Sequence, residues 1–214
     1  DWELTFRFND QDELSTYAVG DNILRDGFYT LTLNPSGYAP LAAEVDISMP
    51  VPGRFGIAVE GKGPFGIEIS NEFNTVAQDH NFPVLGLYPN HQNVVRFDYY
   101  STSGALLQSE NYTITTSQIN NPDIQVNVNN LPQDEQGIYF IADLSLGFDH
   151  RGEVRWLWTH PAHHLFRKLQ NGNLIITSNE DMVIYHSRRF YEVDMLGNII
   201  QTYETPNYQH HEVM

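Results

Sequence analysis

The chain has 214 residues, 41% hydrophobic and 13% aromatic, enough for the packed core of one large or two small domains. Its 27 acidic residues against 11 Lys and Arg give a formal charge of −16, which argues against sequence-independent nucleic-acid binding and against attraction to anionic membranes. Cysteine is absent, which excludes disulfides, zinc–thiolate sites and thiol nucleophiles, and no apolar run approaches membrane-spanning length.

Residues 1–27 read as a lead-in whose Leu4–Phe8 alternates like a short strand. It begins at Asp1 without an initiator Met or a signal peptide, so processing or trimming is expected. Residues 28–116 read as an all-β domain. Phe28–Leu33 and Leu41–Ile47 are strands around the turn Asn34-Pro35-Ser36-Gly37, and Met49-Pro50-Val51-Pro52-Gly53 breaks the second of them. Phe55–Val59 and Phe65–Ile69 flank Gly61-Lys62-Gly63, which predicts a hairpin there. Pro83–Tyr88 is a short apolar strand, and Asn93–Tyr100 with Ala105–Thr116 makes a further hairpin around Ser103-Gly104. Strands at this spacing, with no amphipathic helix between them, predict an immunoglobulin-like β-sandwich. Residues 117–136, rich in Asn, Gln, Asp and Pro, read as a linker with at most one strand, Ile124–Val128.

From residue 137 to 214 the pattern is that of the first blades of a β-propeller. Phe148-Asp149-His150-Arg151-Gly152 has the form of Val193-Asp194-Met195-Leu196-Gly197, 45 residues later. The double histidine His163-His164 returns as His210-His211, with His164 and His211 47 residues apart. A period of roughly 40–50 residues with several short strands per unit is a propeller signature. Each Asp-x-x-Gly, and Asn171-Gly172, predicts a hairpin turn in which Gly takes a positive φ.

Two sets of motifs resemble one family. Asn34-Pro35-Ser36-Gly37-Tyr38-Ala39-Pro40-Leu41, Val59-Glu60-Gly61-Lys62, Pro83–Pro89 and Asn93-Val94-Val95 are similar to the N-terminal sandwich of bacterial aryl-sulfate sulfotransferases. Lys168–Asn173, Val193–Asn198 and His210-His211-Glu212 resemble the opening of that family's six-bladed propeller. The resemblance implies a periplasmic or otherwise exported enzyme. It would move a sulfuryl group from an aryl sulfate to a phenol through a sulfohistidine, without the nucleotide donor and without a cofactor. A homodimer is compatible with it. Six blades need roughly 270 residues beyond the linker, so the chain is expected to be the N-terminal portion of a longer protein. The nucleophilic histidine and the channel arginine would then lie in later blades, and the portion alone is expected to be inactive.

Neutral imidazoles suit sulfuryl transfer because they attack sulfur, carry protons near neutrality and, when charged, face sulfate oxygens. His211 is the candidate catalytic and substrate-binding residue, with a histidine bonded inside its blade as the other reading. His164 is the second substrate-binding candidate, against a packing or surface role, and His160, ahead of Pro161, reads as a loop residue. The His160-x-x-His163-His164 spacing offers no third convergent ligand for a catalytic zinc, so no metal is expected. Trp156 and Trp158 share a face and read as core packing, with aryl binding the alternative; Arg188-Arg189 reads as a solvated turn, with anion binding the alternative. A non-catalytic propeller that binds or scaffolds is the competing function, since propellers host many activities.

Overall fold

The computed structural model describes residues 3–6, 28–120, 137–141, 144–180 and 187–209. The protein is all-β over these residues, with one three-residue 3-10 turn at Gly63–Phe65. No helix among them is long and apolar enough to cross a membrane.

Six strands form the N-terminal region: β1 (Glu3–Phe6), β2 (Phe28–Leu33), β3 (Ala43–Val59), β4 (Ile69–Val84), β5 (Gln92–Ser101) and β6 (Leu106–Thr115). The hydrogen-bonded order is β1-β2-β3-β5-β6, with β4 on the other edge of β3. β3 makes this a sandwich. Its first half, Ala43–Ser48, lies between β2 and the end of β4, while its second half, Gly53–Val59, lies between β5 and the start of β4. The ladder with β4 slips between Ser48 and Gly53, where Pro50 and Pro52 fall. Proline cannot donate to a ladder, so the long β3–β4 hairpin bends there and folds one half over the other. Alternate residues Val45, Ile47, Met49, Phe55, Ile57 and Val59 face inward and are buried. Phe82, from one half of the folded hairpin, packs 5.1 Å from Phe55 and from Phe73, both in the other half.

The predicted positions of β2, β5 and β6 hold. Three expectations are corrected. Met49–Gly53 does not break the strand: β3 runs through it, and only its register with β4 slips there. β4 runs Ile69–Val84, so Phe65–Ile69 is mostly loop, and no tight hairpin forms at Gly61-Lys62-Gly63. Of the expected strand Pro83–Tyr88, only Pro83 and Val84 belong to a strand; Leu87 continues extended and donates to Leu41 O at 3.3 Å. β4 escaped the sequence pattern because it is an outer strand, exposed along most of Ile69–Gln78, and it is built from Asn, Glu, Thr and Gln rather than from alternating apolar residues. The lead-in strand is present as β1, antiparallel to β2. The expected strand Ile124–Val128 lies outside the described residues.

Two antiparallel meanders follow. β7 (Ile138–Ile141), β8 (Leu146–Asp149) and β9 (Val154–Leu157) form a three-stranded sheet. β10 (Ala162–Lys168), β11 (Leu174–Ser178), β12 (Ser187–Val193) and β13 (Ile199–Gln209) form a four-stranded sheet in sequence order, the arrangement of a propeller blade. Trp156, Trp158, Leu174, Ile176, Tyr191 and Val193 are the buried contact between the two. The three-stranded sheet also shares the sandwich core, through Leu146, Val154 and Leu157.

Candidate functional site

The strands of the second meander gather histidines at one end. β10 begins at Ala162 opposite Ser178, the last residue of β11, and β13 closes at Gln209 opposite Ser187, the first residue of β12. His160 stands just ahead of β10, and His163 and His164 lie in its first three residues. In the chain, His186 immediately precedes β12, and His210 and His211 immediately follow β13. Three of the nine histidines, His160, His163 and His164, therefore stand at this end of the sheet, while His186, His210 and His211 lie outside the described residues. β10 advances from Ala162 to Leu165 while β11 moves only from Ser178 to Ile176, so a bulge with one extra residue falls at the double histidine. Bulges of this kind re-aim side chains and are frequent beside active sites. His164 is thus placed on an edge strand by its backbone, and its side chain lies outside the described residues. His211 lies outside them altogether.

His160 is the histidine of this end whose side chain is described, and it is no simple loop residue. Its ring stacks on Trp158 at 4.9 Å and 19°, and meets Tyr191 and Tyr38 edge-on at 5.1 and 4.8 Å. Thr159 N–H donates to Tyr38 O at 2.8 Å, which ties the start of this segment to the sandwich. Nε2 of His160 lies 4.0 Å from the Glu180 carboxylate, which accepts from Tyr191 O–H at 3.0 Å and from Arg189 at 2.9 Å. The arrangement holds the imidazole flat against Trp158 and edge-on to two tyrosine rings, with a carboxylate in reach.

Arg189 also pairs with Glu204 at 3.0 Å, and that bond, then Tyr191, raises its pKa. Arg188 and Arg189 lie on β12 rather than in the turn expected of them, and Arg188 donates to Thr205 O on β13. Trp156 and Trp158 take the core-packing role. Both indoles are buried, and their N–H groups donate to Met195 O and Gly197 O in the turn of the next sheet. Among the described residues no group of three His, Asp or Glu is placed to hold a metal ion.

What positions this end is a junction that the sequence reading missed. Arg155 on β9 is fully buried. Its Nε donates to Gly86 O at 2.7 Å and its Nη1 to Ile67 O at 3.3 Å and to Asp149 at 3.1 Å. The guanidinium sits 3.7 Å over the Tyr88 ring. Burial pulls its pKa down, against Tyr88 and the Asp149 carboxylate. Tyr88 is held in turn by buried Asn93, which accepts from Tyr88 N at 2.7 Å and donates to Tyr88 O at 3.1 Å. The Tyr88 hydroxyl accepts from Lys62 N, and Lys62 reaches Glu153 at 3.0 Å. On the other side Ser36 O–H donates to Leu196 O at 2.7 Å. The strings around Asn34–Ala39, Lys62, Tyr88 and Asn93 are thus the surface on which the meanders sit, and the spacing Gly86 to Arg155 gives no sequence signal for it.

Residues 30–117 match the family profile described as an arylsulfotransferase Ig-like domain, and residues 124–214 match the arylsulfotransferase (ASST) profile. The arylsulfate sulfotransferase AssT of Lelliottia amnigena is 32% identical over 93 residues, a stretch that is 42% of this chain and 15% of that protein. The chain therefore aligns with a small share of that relative's length.

Proposed function

This chain belongs to the arylsulfotransferase family, and we propose that it is the N-terminal part of an enzyme that moves a sulfuryl group from an aryl sulfate to a phenolic acceptor. The observation that carries this reading is the match of both family profiles, over residues 30–117 and 124–214, in a chain whose second meander opens with His160, His163 and His164 at one end of its sheet. The 1–27 lead-in, 28–116 sandwich, 117–136 linker and 137–214 propeller start are the division we adopt. The two meanders are read as the opening of a closed propeller, with β10 as the strand of its blade that lines the channel. An exported, periplasmic setting, a nucleotide-independent donor and a homodimer belong to the same proposal.

In the reaction a neutral imidazole nitrogen attacks sulfur, and the bond from sulfur to the aryl oxygen breaks with both electrons going to that oxygen. A neighbouring imidazolium gives the departing phenolate its proton. A sulfohistidine remains. The acceptor phenol then loses its proton to the same neighbour, its oxygen takes the sulfuryl group, and the nitrogen–sulfur bond returns its electrons to the imidazole. Donors fixed around the sulfate oxygens stabilise the charge that shifts during each step. His211 is assigned proton transfer or sulfate contact and His164 sulfate contact, with the nucleophile placed in later blades. Two sheets cannot close a ring, so the 214 residues alone are expected to show no turnover.

The test is transfer from 4-nitrophenyl sulfate to phenol by the full-length protein, followed as 4-nitrophenolate release. The wild-type protein should transfer, and His211→Ala should lose about 10²–10⁴-fold in rate. No transfer by the intact protein would leave the non-catalytic scaffold as the function. Unchanged transfer by His211→Ala would remove His211 from the site.

A further inference from the structure

A second feature lies in the sandwich, away from the histidine end. Between Gly53 and Phe55 on β3 the partner strand β4 runs from Ala77 to Phe73, so Asn74, Thr75 and Val76 bulge out opposite Arg54. On the other side the β5–β6 ladder slips at Tyr100, the register partner of Arg54. Beside the two irregularities lies a cavity of about 140 Å³ lined by Arg54, Glu72, Asn74, Tyr100 and Gly104 and by Phe55 and Phe73, whose rings pack into the sandwich core. It is well below the several hundred Å³ of a drug-sized site, so its occupant is small.

The guanidinium of Arg54 is under-used. Arg96, Arg155 and Arg189 each hold a carboxylate within 3.2 Å. Among the described residues Arg54 donates only to the neutral amide oxygen of Asn74, at 3.1 Å, and its buried Nε has no partner there. This occurs in a chain with 27 acids to choose from. Gly104 keeps the far wall open: a Cβ there would stand 2.9 Å from Nη2 of Arg54. The Tyr100 ring beside a planar guanidinium suits a flat anion, which can stack on the ring and accept two parallel N–H bonds. The Glu72 carboxylate on the cavity wall repels further negative charge, which favours one charge over two.

We propose that the Arg54 cavity is a binding site for a small aromatic monoanion of the arylcarboxylate type, an inference independent of the reading above. The test uses the full-length protein carrying nitrogen-labelled arginine, with the Arg54 Nε–H resonance assigned by its loss in Arg54→Gln. Benzoate should shift that resonance saturably, whereas neutral benzyl alcohol and inorganic sulfate at the same concentrations should not. Arg54→Gln should weaken benzoate binding, read by calorimetry, about tenfold or more. Should this variant fail to fold, the wild-type titrations decide alone. Absence of a saturable benzoate shift overturns the site. Equal saturation by benzyl alcohol removes the role of the charge, equal saturation by sulfate removes that of the Tyr100 ring, and unchanged affinity in Arg54→Gln removes Arg54. Any of these three results also overturns the proposal.

Discussion

The two Asp-x-x-Gly turns have the same local geometry and different surroundings. In each, the Gly N–H donates to the Asp carbonyl, Gly152 to Asp149 at 2.9 Å and Gly197 to Asp194 at 3.0 Å. In each, Oδ1 of the Asp accepts the N–H four residues on, from Glu153 at 3.2 Å and from Asn198 at 2.9 Å. The second oxygen separates them. Oδ2 of Asp149 faces the buried Arg155 guanidinium, whereas Oδ2 of Asp194 takes the side-chain amide of Asn198. A Cβ on Gly197 would also lie 2.8 Å from Ala39 Cβ. One turn holds a charge in the junction with the sandwich, and the other docks on the sandwich by shape. A repeat motif thus fixes a hairpin, and tertiary placement decides what the hairpin is for.

The largest expected difference is between the two aspartates. Asp149→Ala leaves Arg155 charged and buried without its partner, and should lower stability by about 3–5 kcal/mol. Asp194→Ala removes turn hydrogen bonds only, and should cost about 1 kcal/mol. Urea unfolding of the two variants measures both, and equal losses would break the comparison. Next come the glycines. Both have positive φ, 81° at Gly152 and 85° at Gly197, so Ala carries a strain of about 1–2 kcal/mol in each. Gly197→Ala should add about 1–3 kcal/mol to that strain, from the contact with Ala39 and Ser36. A loss in Gly197→Ala no larger than the strain alone would show that Gly197 does not touch the sandwich.

The smallest effect concerns Tyr88, under Arg155. Burial raises its phenol pKa above the ordinary 10.0. The folded state therefore holds the proton longer than the unfolded chain does. Its contribution is complete below pH 10 and is lost as pH rises through the raised value. Tyr88→Phe keeps the ring under the guanidinium and loses the bond from Lys62 N, about 1 kcal/mol. It should also flatten the fall in stability above pH 10. An unchanged alkaline slope would show that Tyr88 is not buried at the junction.

Much of the architecture was legible because it is written locally. Asn171-Gly172 and the two Asp-x-x-Gly strings demand tight turns, and the alternation in Val45–Met49 and Val95–Tyr99 points one face inward. β4 was not legible, because an outer strand exposed along most of its first ten residues needs no apolar alternation. The junction was not legible either. Arg155 reads in sequence as one polar residue in an apolar run, and its acceptors Gly86 and Ile67 lie 69 and 88 residues away. Likewise nothing near His160 announces that Tyr38, from the sandwich, will pack against it. The strings that carried the family resemblance were read as turns and strand ends. Their tertiary role is to form the surface that receives the meanders.

Sulfuryl transfer through a histidine is the proposed reaction of the full-length protein. The most direct measurement is to hold the full-length protein with 4-nitrophenyl sulfate and no acceptor, then map covalent modification by peptide mass spectrometry. The expected result is one sulfuryl group on a histidine beyond residue 214, discharged by added phenol, and strongly reduced in His211→Ala. Transfer to phenol by a protein that never carries such a group would contradict it.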